Sequence, residues 1–138
     1  MSIRAMLVER EIEIKAYDID VIGIVSNIVY VRWFEDLRHS FLDKYYPYEE
    51  MIQSKKSPIL VKTEIEYKAP LTIYDKPLGK CWVTSMGRSR WEMGFEIYSG
   101  ETINCLGKQL GCFFDLEKKK LTRVPQNIVL QYNREVIG

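Results

Sequence analysis

The sequence predicts an α+β domain in which one long helix lies against an antiparallel five-stranded sheet. Three observations lead there. The segment Tyr30 to Phe41 has helical period and carries five large apolar residues on one side. Five segments of strand character surround it, one before the helix and four after. The last three are joined by links of four and three residues, short enough for antiparallel hairpins. A helix with that much apolar surface and a sheet with one apolar face must cover each other, which makes two layers.

The first strand is expected over Val8 to Ala16, where Glu9, Glu11, Glu13 and Lys15 alternate with a less polar set centred on Ile12 and Ile14. Tyr17 to Val25 breaks the alternation, and Asp18, Asp20 and Gly23 mark it as a loop. Ser26 or Asn27 can then cap a helix. In that helix Tyr30, Trp33, Phe34, Leu37 and Phe41 share one face, and Arg32, Asp36, His39 and Asp43 share the other. Pro47 blocks its continuation, so it ends near Tyr45. Tyr48 to Lys56 reads as a connector with room for a short helical turn.

A second strand alternates through Val61, Thr63, Ile65 and Tyr67 and stops at Pro70. After a loop at Leu71 to Lys76, three strands are expected at about Gly79–Met86, Trp91–Tyr98 and Thr102–Leu116. The last carries Gly107 and Gly111, which predict a bend or bulge. Lys118, Lys119 and Lys120 make a basic turn, and Pro125 suits the start of a terminal helix through Asn133. No internal repeat or linker divides the chain, so residues 1–138 read as one domain.

Charge excludes several partners. Twenty basic and nineteen acidic residues leave a formal net charge of +1, which favours neither nucleic acid nor an anionic membrane surface. The N-terminal stretch lacks the apolar core of a signal peptide, and no run is long enough to span a bilayer. Cys81, Cys105 and Cys112 are too few and too irregular for a disulfide framework or a zinc site. They read as buried free thiols in a reducing cytoplasm.

The chemistry available is correspondingly narrow. The single histidine, His39, falls on the polar face of the helix, so triads built on histidine lack material. Carboxylates remain. Asp18 and Asp20 stand two residues apart, and in an extended loop only one of them faces a given cleft. Unsatisfied amides at a helix N-terminus can polarise a carbonyl and stabilise the oxyanion formed when it is attacked. A neighbouring carboxylate can attack or activate water. An acid beside a helix start is therefore a minimal site for thioester cleavage, while two turn acids near a helix start are the plainer alternative.

The segment YDIDVIGIVSNIVYVRWFE resembles the 4-hydroxybenzoyl-CoA thioesterase-like acyl-CoA thioesterases of the hotdog fold. Tyr17, Asp20, Gly23, Ile24, Val25, Tyr30, Arg32, Trp33, Phe34 and Glu35 match that family's pattern, and YKAPLTIYD at Tyr67 to Asp75 is similar to its strand end and turn. The resemblance implies a sheet wrapped around the helix, a homodimer or homotetramer with sites at the subunit interface, and acyl-CoA hydrolysis without metal or organic cofactor. It puts Asp20 at the catalytic position, as nucleophile or general base, and leaves Asp18 to orient the loop. Gly23, Ile24, Val25, Ser26 and Tyr30 would line the substrate. Ser26-Asn27 stands where the family commonly has Tyr-His, so Asn27 is a second catalytic candidate that can donate a hydrogen bond but cannot titrate near neutral pH. Arg88 and Arg90 are candidates for CoA phosphate, with Lys68 behind them, and two solvated turn arginines are the alternative. An acyl-ACP thioesterase and a non-catalytic acyl-CoA-binding module are the competing functions.

Overall fold

The computed structural model describes residues 3–137. In chain order it contains β1 (Ala5–Glu11), a short 3-10 turn (Ala16–Asp18), α1 (Asn27–Tyr45), α2 (Tyr48–Ser54), β2 (Lys56–Tyr67), β3 (Leu78–Met86), β4 (Arg90–Ser99), β5 (Thr102–Asp115), β6 (Lys120–Thr122) and α3 (Gln126–Ile137). The sheet is antiparallel, in the order β1-β3-β4-β5-β2, and β6 adds a short ladder to the end of β5. It curls around α1, and the α+β hotdog architecture expected from the sequence is the one observed.

The helix is held by its aromatic face. Val29, Tyr30, Trp33, Phe34, Leu37 and Phe41 are buried, while Arg32, Asp36, His39 and Asp43 face solvent. Phe34 and Leu37 are completely buried. The Phe34 ring stacks on Phe95 of β4 with centroids 4.7 Å apart. Burying side chains of this size stabilises the pair of layers by roughly 2–3 kcal/mol each.

Several boundaries differ from the sequence reading, each for a physical reason. The first strand occupies Ala5–Glu11 rather than Val8 to Ala16. Its ladder with β3 closes at Glu11↔Leu78, because the residue before Leu78 is Pro77, which has no N–H to offer. Ile12 and Ile14 still turn inward, although only Ile12 N–H bonds across, to Pro77 O. β2 starts earlier, at Lys56, because the 14-residue β5 pairs with it back to Asp115. Pro58 is tolerated there because β2 is an edge strand.

The two glycines of β5 do not bulge. The extra residue in β5 is Asn104, between the Ile97↔Cys105 and Tyr98↔Ile103 pairs. The bulge beside Gly111 belongs to β2, at Val61. The glycines serve close packing instead. A Cβ on Gly107 would lie 2.2 Å from the Phe34 ring, and one on Gly111 would lie 2.1 Å from Trp91 and 2.3 Å from the Ile59 carbonyl oxygen. The Lys118–Lys120 turn runs through Lys119 at φ 56 and gives way to β6, and α3 extends past Asn133 to Ile137.

These contacts set an order of sensitivity. Gly107→Ala forces the fully buried Phe34 ring to give way, and should cost about 1–3 kcal/mol. Gly111→Ala meets backbone as well and should cost more. Urea titration of both variants checks this, and equal midpoints would contradict it.

Candidate functional site

Residues 18–26 form a miniature hairpin that delivers the chain to α1. Ser26 N–H bonds Asp18 O at 2.9 Å, Ile19 and Val25 form a bridge, and Asp20 N–H bonds Ile24 O at 2.8 Å. Gly23 closes the tip, donating to Asp20 O at 3.1 Å with φ 88, a backbone region that favours glycine. Val21 and Ile22 project from this tip into solvent.

The two acids face opposite ways. Asp18 is buried, and its Oδ2 accepts Lys15 N–H at 2.9 Å. It holds the loop, as expected of the lesser acid. Asp20 is exposed. Its Oδ1 accepts Ile22 N–H at 2.9 Å and Ile24 N–H at 3.3 Å, and its second oxygen has no partner among the described residues. The fold therefore fixes the Asp20 carboxylate by one oxygen and presents the other.

Two further contacts position the helix start. Val25 N–H bonds Leu71 O at 2.9 Å, and the Tyr67 hydroxyl donates to Asn27 O at 2.8 Å. Ser26 is the N-cap residue, but its side chain makes no capping bond. Val29 N–H bonds Ser26 O. Among the described residues the N–H groups of Asn27 and Ile28 have no acceptor, and the exposed Asn27 side chain makes no hydrogen bond. Two donors and the positive end of a 19-residue helix thus stand free together.

An open cleft adjoins these amides, lined by Ile24, Val25, Asn27, Tyr30, Tyr67, Lys68, Ala69 and Pro70. Tyr30 packs edge-on between Trp33 and Tyr67, with centroids 5.1 and 5.3 Å away. Burial pushes its phenol up to about 12, helped by Cys105, Tyr67 and Asp75 nearby. Tyr30 therefore presents a neutral hydroxyl at any physiological pH. Gly23 and Asp20 stand in the loop leading to this cleft rather than in its wall.

Arg88 and Arg90 are not brought to this place within one chain. Their turn lies at the far end of the sheet, where Phe113 N–H bonds Ser89 O and the Phe113 ring packs edge-on against Tyr46, just past the end of α1. At 1.5 Å per residue, α1 separates the two ends by about 28 Å. Lys68, ranked behind the arginines, is the cation beside the cleft. An apolar cavity also lies at the far end, among Phe41, Leu42, Pro58, Trp91 and Phe113. It is not the site, since its lining has nothing to orient a polar ligand except Arg38, which is committed to Gln109 and Glu35.

Two residues that shape the site were not singled out from the sequence. Tyr67 bonds the first helical carbonyl across 40 positions. Asn104 is buried in the β5 bulge, and its Nδ2 donates to Ala69 O and Pro70 O, holding the cleft wall. The only sequence signal was the position of Tyr67 at the head of YKAPLTIYD.

Comparisons with known proteins bear on the family and the fold. The chain matches the model of the thioesterase-like superfamily over residues 14–131. A curated protein of Aquifex aeolicus (strain VF5), provisionally named an esterase, is 38% identical over 63 residues, a match covering 45% of this chain and about half (48%) of that relative. Among solved structures, a hypothetical Staphylococcus aureus protein in complex with CoA superposes with a TM-score of 0.88 at 11% identity, covering 99% of this chain and 87% of that one. A gentisyl-coenzyme A thioesterase gives 0.80 at 18% identity, covering 91% and 99%. A DHNA-CoA thioesterase from Staphylococcus aureus gives 0.81 at 20%, covering 93% and 89%. At these identities the structural likeness is one of fold.

The site makes two measurable statements. Asp18→Ala removes a buried acceptor and leaves Lys15 N–H unpaired, so it should lower stability by about 1–3 kcal/mol in denaturant titration. Tyr30 ionises at a higher pH folded than unfolded, so its contribution to stability is intact below pH 10 and is lost as pH rises towards 12. Stability measured at pH 9 and pH 11 should therefore fall less in Tyr30→Phe than in the unaltered chain.

Proposed function

The chain belongs to the thioesterase-like superfamily, and from that membership we propose that it hydrolyses acyl-CoA thioesters to a free acid and CoA. The observation that carries the proposal is the pair of unbonded amides at Asn27 and Ile28, beside a cleft and downstream of a carboxylate with one free oxygen. The amides polarise the thioester carbonyl and stabilise the oxyanion, since they are free of acceptors among the described residues. The free Asp20 oxygen acts as nucleophile or as general base toward water. Asn27 supplies a side-chain donor at the cleft mouth, Ile24, Val25 and Tyr30 shape its walls, and Gly23 and Ser26 set the loop that leads to it. The CoA-bound and CoA-thioester-cleaving structures of the same fold support CoA as the carrier. Three buried free cysteines are compatible with a reducing, cytoplasmic setting, and among the described residues no helix is long and apolar enough to cross a membrane.

The working unit is a homodimer formed edge to edge through β2. The two edges of the sheet are treated differently. β1 is short, bulged at Met6 and covered by α3, whose Glu135 carboxylate accepts Met6 N–H at 2.8 Å. β2 runs twelve residues with its outer side open, and carries exposed Ile59 and Val61. Antiparallel pairing of two β2 strands reverses the second copy end for end. Its Gly87–Arg90 turn then lies at the same end of the joint sheet as the helix start of the first. Arg88 and Arg90 serve CoA phosphate from the second subunit in this arrangement, and Lys68 from the first.

A panel of short, long and aromatic acyl-CoAs, with acyl-ACP in parallel, tests the reaction by thiol release. Asp20→Asn keeps the Oδ1 acceptor for Ile22 and Ile24 and removes only the charge, so the loop should persist while kcat falls at least about a hundredfold. Equal rates in the two proteins would remove Asp20 from the chemistry. CoA binding without thiol release in either would make the protein a binding module.

A further inference from the structure

The open edge of β2 carries a charge order that favours one register for a second copy. Lys68 N–H bonds Asn104 O at 2.9 Å, next to the Tyr67↔Cys105 pair. In an antiparallel ladder these exchanges alternate, so residues 62, 64 and 66 bond β5, and Thr63, Ile65 and Tyr67 turn their N–H and C=O groups to the open side. The backbone alone therefore accepts several registers. Side chains must choose among them.

On the outer face of the sheet β2 presents Lys62, Glu64 and Glu66 in succession, followed by Lys68. Lys62 and Glu64 are about half exposed and 2.8 Å apart. In two-fold antiparallel pairing, partners lie on the same face and their residue numbers sum to a constant. With the axis at Thr63, Lys62 meets Glu64 of the second copy and Glu64 meets its Lys62. With the axis at Glu64, that residue meets its own copy, set against two Lys62–Glu66 pairs; with the axis at Tyr67, Glu66 meets Lys68 twice, but the strand ends there and Pro70, which has no N–H, follows. At Ile65, Glu64 meets Glu66 twice and Lys62 meets Lys68. At Lys62, the lysine meets itself. Opposite charges across a ladder attract and like charges repel.

We propose that two copies join through β2 with the two-fold axis at Thr63, and that the reciprocal Lys62–Glu64 pairs select this register. The inference rests on the edge-to-edge dimer above and adds what fixes its alignment. Each of the four charges then has an opposite neighbour in its own chain and another across the axis. The Val61 bulge ends the regular ladder one residue beyond Lys62, which confines the pairing to the segment where these charges sit.

The test is the association of the full chain, followed by sedimentation velocity over a dilution series and by native mass spectrometry. K62E and E64K each place two like pairs across the axis and should raise the dimer dissociation constant at least about tenfold. The exchange K62E/E64K restores both pairs and should return it to within about threefold of the original. An equimolar mixture of K62E and E64K should form the mixed dimer in preference to either homodimer. Single variants that dimerise like the unaltered chain, or an exchange variant as weak as the singles, would overturn the register while leaving the dimer. A monomeric unaltered chain would overturn both, and its thiol release, measured in the same preparation, reads the catalytic proposal separately.

Discussion

The structure depends on one contact, the Phe34 ring seated over Gly107 and stacked on Phe95. A phenyl ring needs a bare backbone beneath it to come this close to a sheet, and β5 supplies one. The contact fixes how near α1 lies to the strands and how it is rotated. Tyr30, one turn earlier, is thereby placed between Trp33 and Tyr67. The amides of Asn27 and Ile28 are aimed by the same rotation. A feature made of backbone has no side chain to adjust, so its precision comes from packing elsewhere in the helix.

The loop before the helix divides its work between two similar residues. Asp18 is spent on structure: it is buried and bonded to Lys15 N–H. Asp20 is bonded through one oxygen only. A carboxylate held at one oxygen keeps a defined orientation and leaves the lone pairs of its other oxygen free. The exposed Val21–Ile22 tip places apolar surface immediately beside that charge.

Some of this was legible in the sequence. The helix could be read because its period and aromatic face lie within one stretch, and Asp20 and Gly23 because turn chemistry is local. The strand ends were not legible, because they depend on partners far along the chain: Pro77 ends β1, and the length of β5 extends β2. Gly107 and Gly111 looked like bulge formers because a glycine does not announce which ring will lie over it. Tyr67 and Asn104 act across 35 to 40 positions, which no periodicity records. Arg88 and Arg90 were grouped with Asp20 by residue type, and the fold puts them at opposite ends of one chain.

The bond between Met6 N–H and Glu135 links the first strand to the last helix across 129 positions. Synthesis runs in one direction, so β1 emerges from the ribosome long before either β3 or α3 exists to hold it. The aromatic face of α1 waits likewise for β4 and β5. Most of the chain must be made before its core can close, and the final helix arrives as the clasp. The aromatic face of α1 therefore stays uncovered through the synthesis of the strands that follow it.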